Sequence, residues 1–395
     1  LLRKGNIMSS RREFLKLASL FTAAGAMPLL QKAAFANTDP NAPLRIGYLP
    51  ITDATPLLVA HANGFFEEEG VKVEKPVMFR SWAQLVEAFL AGQVNIIHLL
   101  SPMTVWARFA SDAPVKSVMW NHLAGSAITV SLDIDKPEEL GGKTVAIPFW
   151  YSIHNILLQH VLREHGLKIT EEEPAADEVK LIVMAPADMV AALAAKSISG
   201  FVVAEPFNAA AELNGVGRIL RFSGDVWREH ACCVTLMRDE DILQRPEWVQ
   251  KTVNALVRAQ AWTLDNREET AQLLSRRTKN RYTPHDEKAL LKVLAPDVKD
   301  EDDYIASGAI KHPDWHQQRI DFQPYPYESY YVELIKMLKE TYIAGNHNFL
   351  DTLDPIKAST DLVDSSFVRK ALADPELQTK FKIPADFKRE EQIAV

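Results

Sequence analysis

Apolar, strand-like runs alternate with helical periodicity along this chain, and that alternation constrains the fold more than any other feature of the sequence. Leu44–Leu49 reads as a buried strand, Pro56–Asn63 as a helix stopped by Gly64, and Phe65–Gly70 as a turn into a second strand, Val71–Glu74. A helix is expected over Trp82–Leu90, with Gly92 as its stop, before the apolar run Val94–Leu100. A strand apolar at nearly every position suits a parallel sheet covered on both faces. The pattern then restarts with a turn and strand over Leu140–Pro148, helix Ser152–His165, strand Val179–Met184, helix Pro186–Ala195 and strand Gly200–Ala204. Strands joined by helices wind right-handed into parallel sheets. Two such units, followed by amphipathic stretches around Val249–Ala271 and Tyr330–Tyr342, predict an α/β fold of two lobes. The acidic run Asp297–Asp303 is expected to be a solvated loop or helix end. The crossings fall near Ile134–Lys136 and Val234–Arg238, which assigns 44–135 and 236–395 to lobe one and 136–235 to lobe two. Open α/β sheets bind ligands beyond the carboxyl ends of their strands, so the cleft between the lobes is the expected site.

Charge separates the N-terminus from the rest. The 395 residues hold 44 Lys+Arg and 52 Asp+Glu, but residues 1–36 carry six basic groups and only one acid, Glu13. The remainder, with 38 basic and 51 acidic groups, has a net charge of about −13. An acidic chain without a basic stripe is not built as a nucleic-acid surface. Basic residues, the apolar stretch Leu17–Leu30 and Ala34-Phe35-Ala36 form the three parts of an export signal cleaved near Ala36, with Met8 as the expected start. Ser10-Arg11-Arg12-Glu13-Phe14-Leu15-Lys16 is similar to the twin-arginine signal, which implies the twin-arginine translocase as an export partner. With no cysteine near that point and no later run of 18 apolar residues, the expectation is an unanchored, monomeric periplasmic protein.

Catalytic and cofactor motifs are scarce. Gly141-Gly142-Lys143-Thr144 lacks the upstream glycine of a phosphate loop, because Pro137 stands there. No dinucleotide fingerprint, nucleophile elbow or zincin motif appears, and His312 and His316 read as polar surface residues. No metal or other cofactor is expected. Cys232 and Cys233 are adjacent, which disfavours a disulfide between them, and read as small apolar residues entering the strand Val234–Met237.

Several segments together are similar to the solute-binding proteins of ABC importers, in the nitrate/bicarbonate/sulfonate (taurine-type, NMT1/THI5-like) family. They are Gly47–Pro56, Gly64-Phe65-Phe66, Ser81-Trp82, Leu99–Met103, Ile147-Pro148-Phe149, Ser152–Asn155 and Ala204–Phe207. The nearest likeness is to the nitrate- and bicarbonate-binding subgroup. The resemblance implies a type II periplasmic-binding-protein fold, no catalysis, and delivery of a small solute to ABC permease subunits. Residues after strand ends then become ligand candidates: Thr52, Asp53, Thr55, Trp82, Ser101, Met103 and Ser126 from one side, and Trp150, Ser152, His154 and Glu205 from the other. In that subgroup a lysine holding the anion falls where this chain has Cys233. A buried oxyanion without a cation is costly, whereas Asp53, Glu205, Trp82 and Trp150 suit a guanidinium or urea-like nitrogen compound. That solute is expected over nitrate, bicarbonate or a sulfonate. The alternatives are a desulfinase-like enzyme with Cys232 or Cys233 as nucleophile and His154 or His230 as base, and a sensor domain.

Overall fold

The computed structural model describes residues 41–316 and 318–394, so the expected export signal lies outside it. Among these residues, thirteen strands, β1 to β13 in chain order, form two main sheets and a short ribbon. The first sheet contains β1 (Ile46–Tyr48), β2 (Val77–Met78), β3 (Ile96–Leu100) and β4 (Val115–Trp120), joined late in the chain by β12 (Cys233–Arg238). Its order is β2-β1-β3-β12-β4. The second contains β6 (Ser126–Val130), β7 (Lys143–Ile147), β8 (Lys168–Thr170), β9 (Glu178–Val183), β10 (Gly200–Ala204) and β11 (Arg218–Phe222), in the order β11-β6-β10-β7-β9-β8. The ribbon pairs β5 (Leu123–Ala124) with β13 (Ile320–Asp321).

Several elements follow directly from local chemistry. Trp82–Leu90 is a helix with Ser81 at its N-cap, and Ile153–Glu164 is one with Ser152 accepting from the Asn155 amide. Every residue of β3, β6 and β10 is buried, in keeping with their mainly apolar sequences, with His98 in β3 and Ser126 and Thr129 in β6 as buried polar exceptions. Other expectations change. Val71–Glu74 makes only a bridge, Leu44 to Val73, and pairing resumes at β2 because Pro76 has no N–H to give the ladder. The Phe65–Gly70 turn begins with a short helix, Phe65–Glu68. Val249–Ala271 divides into helices Pro246–Asp265 and Arg267–Leu274 at Asn266, whose side chain donates back to Trp262 O. The acidic run is a helix, Val298–Ala306, capped by Asp297 and buried nowhere.

The crossings also differ from the sequence expectation. The chain leaves the first sheet at Trp120 and enters the second at Ser126, about ten residues before the expected boundary. β6 is an antiparallel partner of both β10 and β11, so it breaks the strand–helix alternation on which that boundary rested. The return crossing spans residues 223–232, and all of β12, including Cys233, lies in the first sheet. No described helix is long and apolar enough to cross a membrane.

β1 passes close under its covering layer at Gly47. A Cβ there would stand 2.8 Å from Leu85 Cδ1, 3.0 Å from Val94 Cγ2 and 3.2 Å from Ile97 Cγ2. Gly47→Ala should therefore lower the unfolding free energy by about 1–3 kcal/mol through overpacking. Denaturant melts of both proteins check this; equal midpoints would contradict the close approach.

Candidate functional site

Strand direction brings distant residues together. β12 runs antiparallel to β3 with Cys233 opposite Leu100, so the start of β12 meets the carboxyl ends of β1 and β3. The Ser101 amide fixes this junction by donating to Cys232 O at 2.8 Å. On the second sheet β6 runs antiparallel to β10 with Ser126 opposite Ala204, while β7 delivers residues 148–154. Both crossings, 121–125 and 223–232, thus lie where the strand ends of the two lobes face each other.

The centre is Asp53, fully buried in the short turn Thr52–Ala54 after β1. Asn121 anchors that turn: its amide donates to Asp53 O at 3.1 Å, and its carbonyl accepts from Thr235 Oγ1 at 2.6 Å. His122 Nε2 lies 3.0 Å from Asp53 Oδ2 and 3.3 Å from the Cys233 amide nitrogen. Among the described residues neither carboxylate oxygen receives a hydrogen bond of regular geometry. Burial, the largest single effect, would raise the Asp53 pKa, but the charge and hydrogen bonding of His122, with smaller help from Cys233 and His98, together outweigh it and hold it at about 2. The partner moves oppositely: burial would lower His122, and Asp53 lifts it to about 10. His98 accepts the Leu49 amide on Nε2 at 2.9 Å; burial depresses its pKa to about 4, so the neutral ring carries its proton on Nδ1, which has no partner. The Trp82 ring lies 5.4 Å from the His98 ring, with its buried Nε1–H also unpartnered.

Both cysteines are free and fully buried. Burial opposes ionisation of either thiol, but hydrogen bonding from Cys233 pulls Cys232 below an ordinary thiol, while Cys233 is pushed up. Cys232 Sγ is 3.8 Å from His154 Nε2, and Ser126 Oγ is 2.9 Å from that nitrogen. Gly125, at φ +79°, lets His122 lie flat on the crossing: a Cβ at 125 would be 3.0 Å from His122 Nδ1.

The sequence candidates therefore divide. Asp53, Trp82, Ser126, His154 and Cys233 line this region. Thr52 is a clasp between lobes, its amide and hydroxyl donating to Glu205 O at 2.9 and 3.1 Å. Thr55 Oγ1 is spent on Thr52 O, and Ser152 caps its helix. Ser101 donates to Tyr330, which gives its own proton to Ala231 O at 2.5 Å, and Met103 is core. Trp150 is half-buried and makes a T-shaped ring contact with Tyr342 at 5.8 Å. Glu205 is held by the protein itself: Arg319 Nε binds its Oε1 at 2.6 Å, and the Ala209 amide reaches Oε2 at 3.2 Å. Sequence reasoning missed His98, His122 and Arg319 altogether. His98 looked like one position of an apolar strand, and the only signal at His122 was its place before the small-residue segment Ala124–Ala127.

The fold is that of two-lobed periplasmic binding proteins: the nitrate-binding protein NrtA of Synechocystis superposes with a TM-score of 0.69 at 20% identity, covering 87% of this chain and 90% of that one. Residues 37–275 match the model of the NMT1-like family, and the chain belongs to that family. Among curated relatives, the bicarbonate transport ATP-binding protein CmpC of Synechocystis sp. is 30% identical over 240 residues, 56% of this chain. The nitrate/nitrite binding protein NrtA of Nostoc sp. is 26% identical over 256 residues, 59% of this chain. The chain spans 35% of the first relative's length and 57% of the second's.

Arg319 and Glu205 are both buried, so removing the cation strands a carboxylate. Arg319→Ala should cost about 3–5 kcal/mol of stability. Thermal and denaturant melts test this; a loss below about 1 kcal/mol would mean that Glu205 is not held by this pair.

Proposed function

We propose that this chain is the solute-binding protein of an ABC importer, exported to the periplasm as a monomer, which hands a small polar solute to permease subunits without chemical change. The observation carrying this reading is the convergence of strand ends from both lobes on buried polar groups with unmet bonding capacity: Asp53, whose one charged partner is His122, and Trp82 Nε1 and His98 Nδ1, which have no partner among the described residues. Buried polar groups are normally paired, and a small ligand enclosed between lobes would pair these. Membership of the NMT1-like family supports the reading.

The names of the relatives point to bicarbonate and nitrate. The charges here favour another solute. Among the described residues, Asp53 takes His122 as its ion-pair partner, and Arg319 is committed to Glu205 and Glu212. An oxyanion would enter beside a carboxylate whose one cation is already used. A guanidinium or urea-like solute would donate N–H groups to Asp53 and lie near the Trp82 ring.

Calorimetry with guanidinium, urea, nitrate, bicarbonate and taurine decides the class, with Asp53→Asn expected to weaken binding at least about 30-fold, the loss of a charge-assisted hydrogen bond of about 2 kcal/mol. Tight nitrate binding without guanidinium or urea binding would overturn the solute assignment. One observation favours an enzyme: Cys232 lies beside His154. Ser126 holds the same imidazole nitrogen more closely, and on the importer reading every bound solute is recovered unchanged. Replacing Arg11 and Arg12 together by lysine keeps the charge and should trap the uncleaved protein in the cytoplasm; normal export of that variant would remove the twin-arginine assignment.

A further inference from the structure

We propose that Asp53, His122, Cys232 and Cys233 form a binding site for one thiophilic divalent cation, and that Zn2+ fits it best. Each residue offers one donor atom, and the four atoms all lie within 4.8 Å of one another. In a tetrahedral zinc shell, bonds of about 2.0–2.3 Å put the donors roughly 3.3–3.8 Å apart, so the widest pair here need close by only about an ångström. Two sulfurs, an imidazole and one carboxylate select zinc-like ions over magnesium or calcium, which take oxygen shells. The donors come from the turn after β1, the first crossing, and the junction of the second crossing with β12, and all four residues are fully buried.

An independent observation points to a cation. Asp53 is completely buried, and beyond the ion-pair contact of one oxygen with His122 neither oxygen receives a regular hydrogen bond among the described residues. His122 Nε2 faces both the Asp53 carboxylate at 3.0 Å and the Cys233 amide at 3.3 Å. The first neighbour calls for a proton on Nε2, the second for a lone pair, and no single protonation state serves both. A metal ion takes the carboxylate oxygen and the imidazole lone pair together. Adjacent cysteines do not close an unstrained disulfide, so both sulfurs remain available as ligands. Binding releases the thiol protons and any proton on His122 to solvent.

The charge of the loaded site follows. Two thiolates and a carboxylate around Zn2+ leave one net negative charge, with His122 neutral. Such a centre supplies no cation for an oxyanion, and Asp53 can give one oxygen to the metal and keep the other for an N–H donor. The site does not depend on the importer reading, because the donor set is the same whatever solute enters the cleft.

The test uses the full chain, reduced and stripped of metal with a chelator. Zn2+ is titrated against a chromophoric chelator, and Co2+ serves as a spectroscopic probe. The expected result is one equivalent of Zn2+ at submicromolar Kd, with Co2+ giving thiolate charge-transfer absorption in the near ultraviolet and tetrahedral bands in the visible. Cys232→Ser and Cys233→Ser should each weaken Zn2+ binding at least about 100-fold, with circular dichroism confirming the fold. Absence of Zn2+ binding at micromolar concentrations, or a cobalt spectrum without thiolate absorption, overturns the proposal; the wild-type cobalt spectrum decides even if a variant fails to fold. Solute calorimetry on metal-free protein reads the importer assignment separately.

Discussion

A carboxylate removed wholly from water has to be answered by positive charge or by hydrogen-bond donors, and Asp53 sets that requirement at the meeting point of the two lobes. Much of the surrounding architecture follows from it. Asn121 fixes the backbone turn on which Asp53 sits, and Gly125 lets His122 lie against the first crossing. The mutual effect of carboxylate and imidazole keeps both charged at neutral pH, while His98, answered by a backbone amide, stays neutral nearby. Two imidazoles within one charged neighbourhood therefore have opposite roles, set by what faces their Nε2 atoms.

The second organising constraint is the holding of the lobes. Residues beyond the family match, which ends at 275, supply many of the ties. Arg319 neutralises Glu205, whose carbonyl clasps Thr52 of the other lobe. β13 pairs with β5 on the first crossing. On another face the Tyr342 backbone is held by Gln159 and Asn155 of the second-lobe helix, while Tyr330 bonds to the Ser101 and Ala231 junction. The late part of the chain is a brace across the cleft rather than a separate tail.

The sequence showed the parallel part of the fold well, because β1, β3, β7, β9 and β10 each pair an apolar run with a periodic helix. It showed the antiparallel strands poorly: β6 and β11 carry no following helix, and without them the first crossing could not be placed. At the site, Asp53 and Trp82 were legible because they follow or begin regular elements. His98 and His122 were not, since a histidine within a strand or at a crossing has the same local pattern whether it packs or binds. Glu205 shows the opposite error. Its position after β10 was read correctly, but its partner lies 114 residues away at Arg319, and no local pattern reveals so distant a cation.

The chain contains only two cysteines, and both are sealed at the lobe junction. A thiol reagent added to the folded protein reaches them only through an opening of that junction. Their labelling rate is thus a built-in clock for the frequency with which the lobes part, readable without any engineered probe and against a background free of surface thiols.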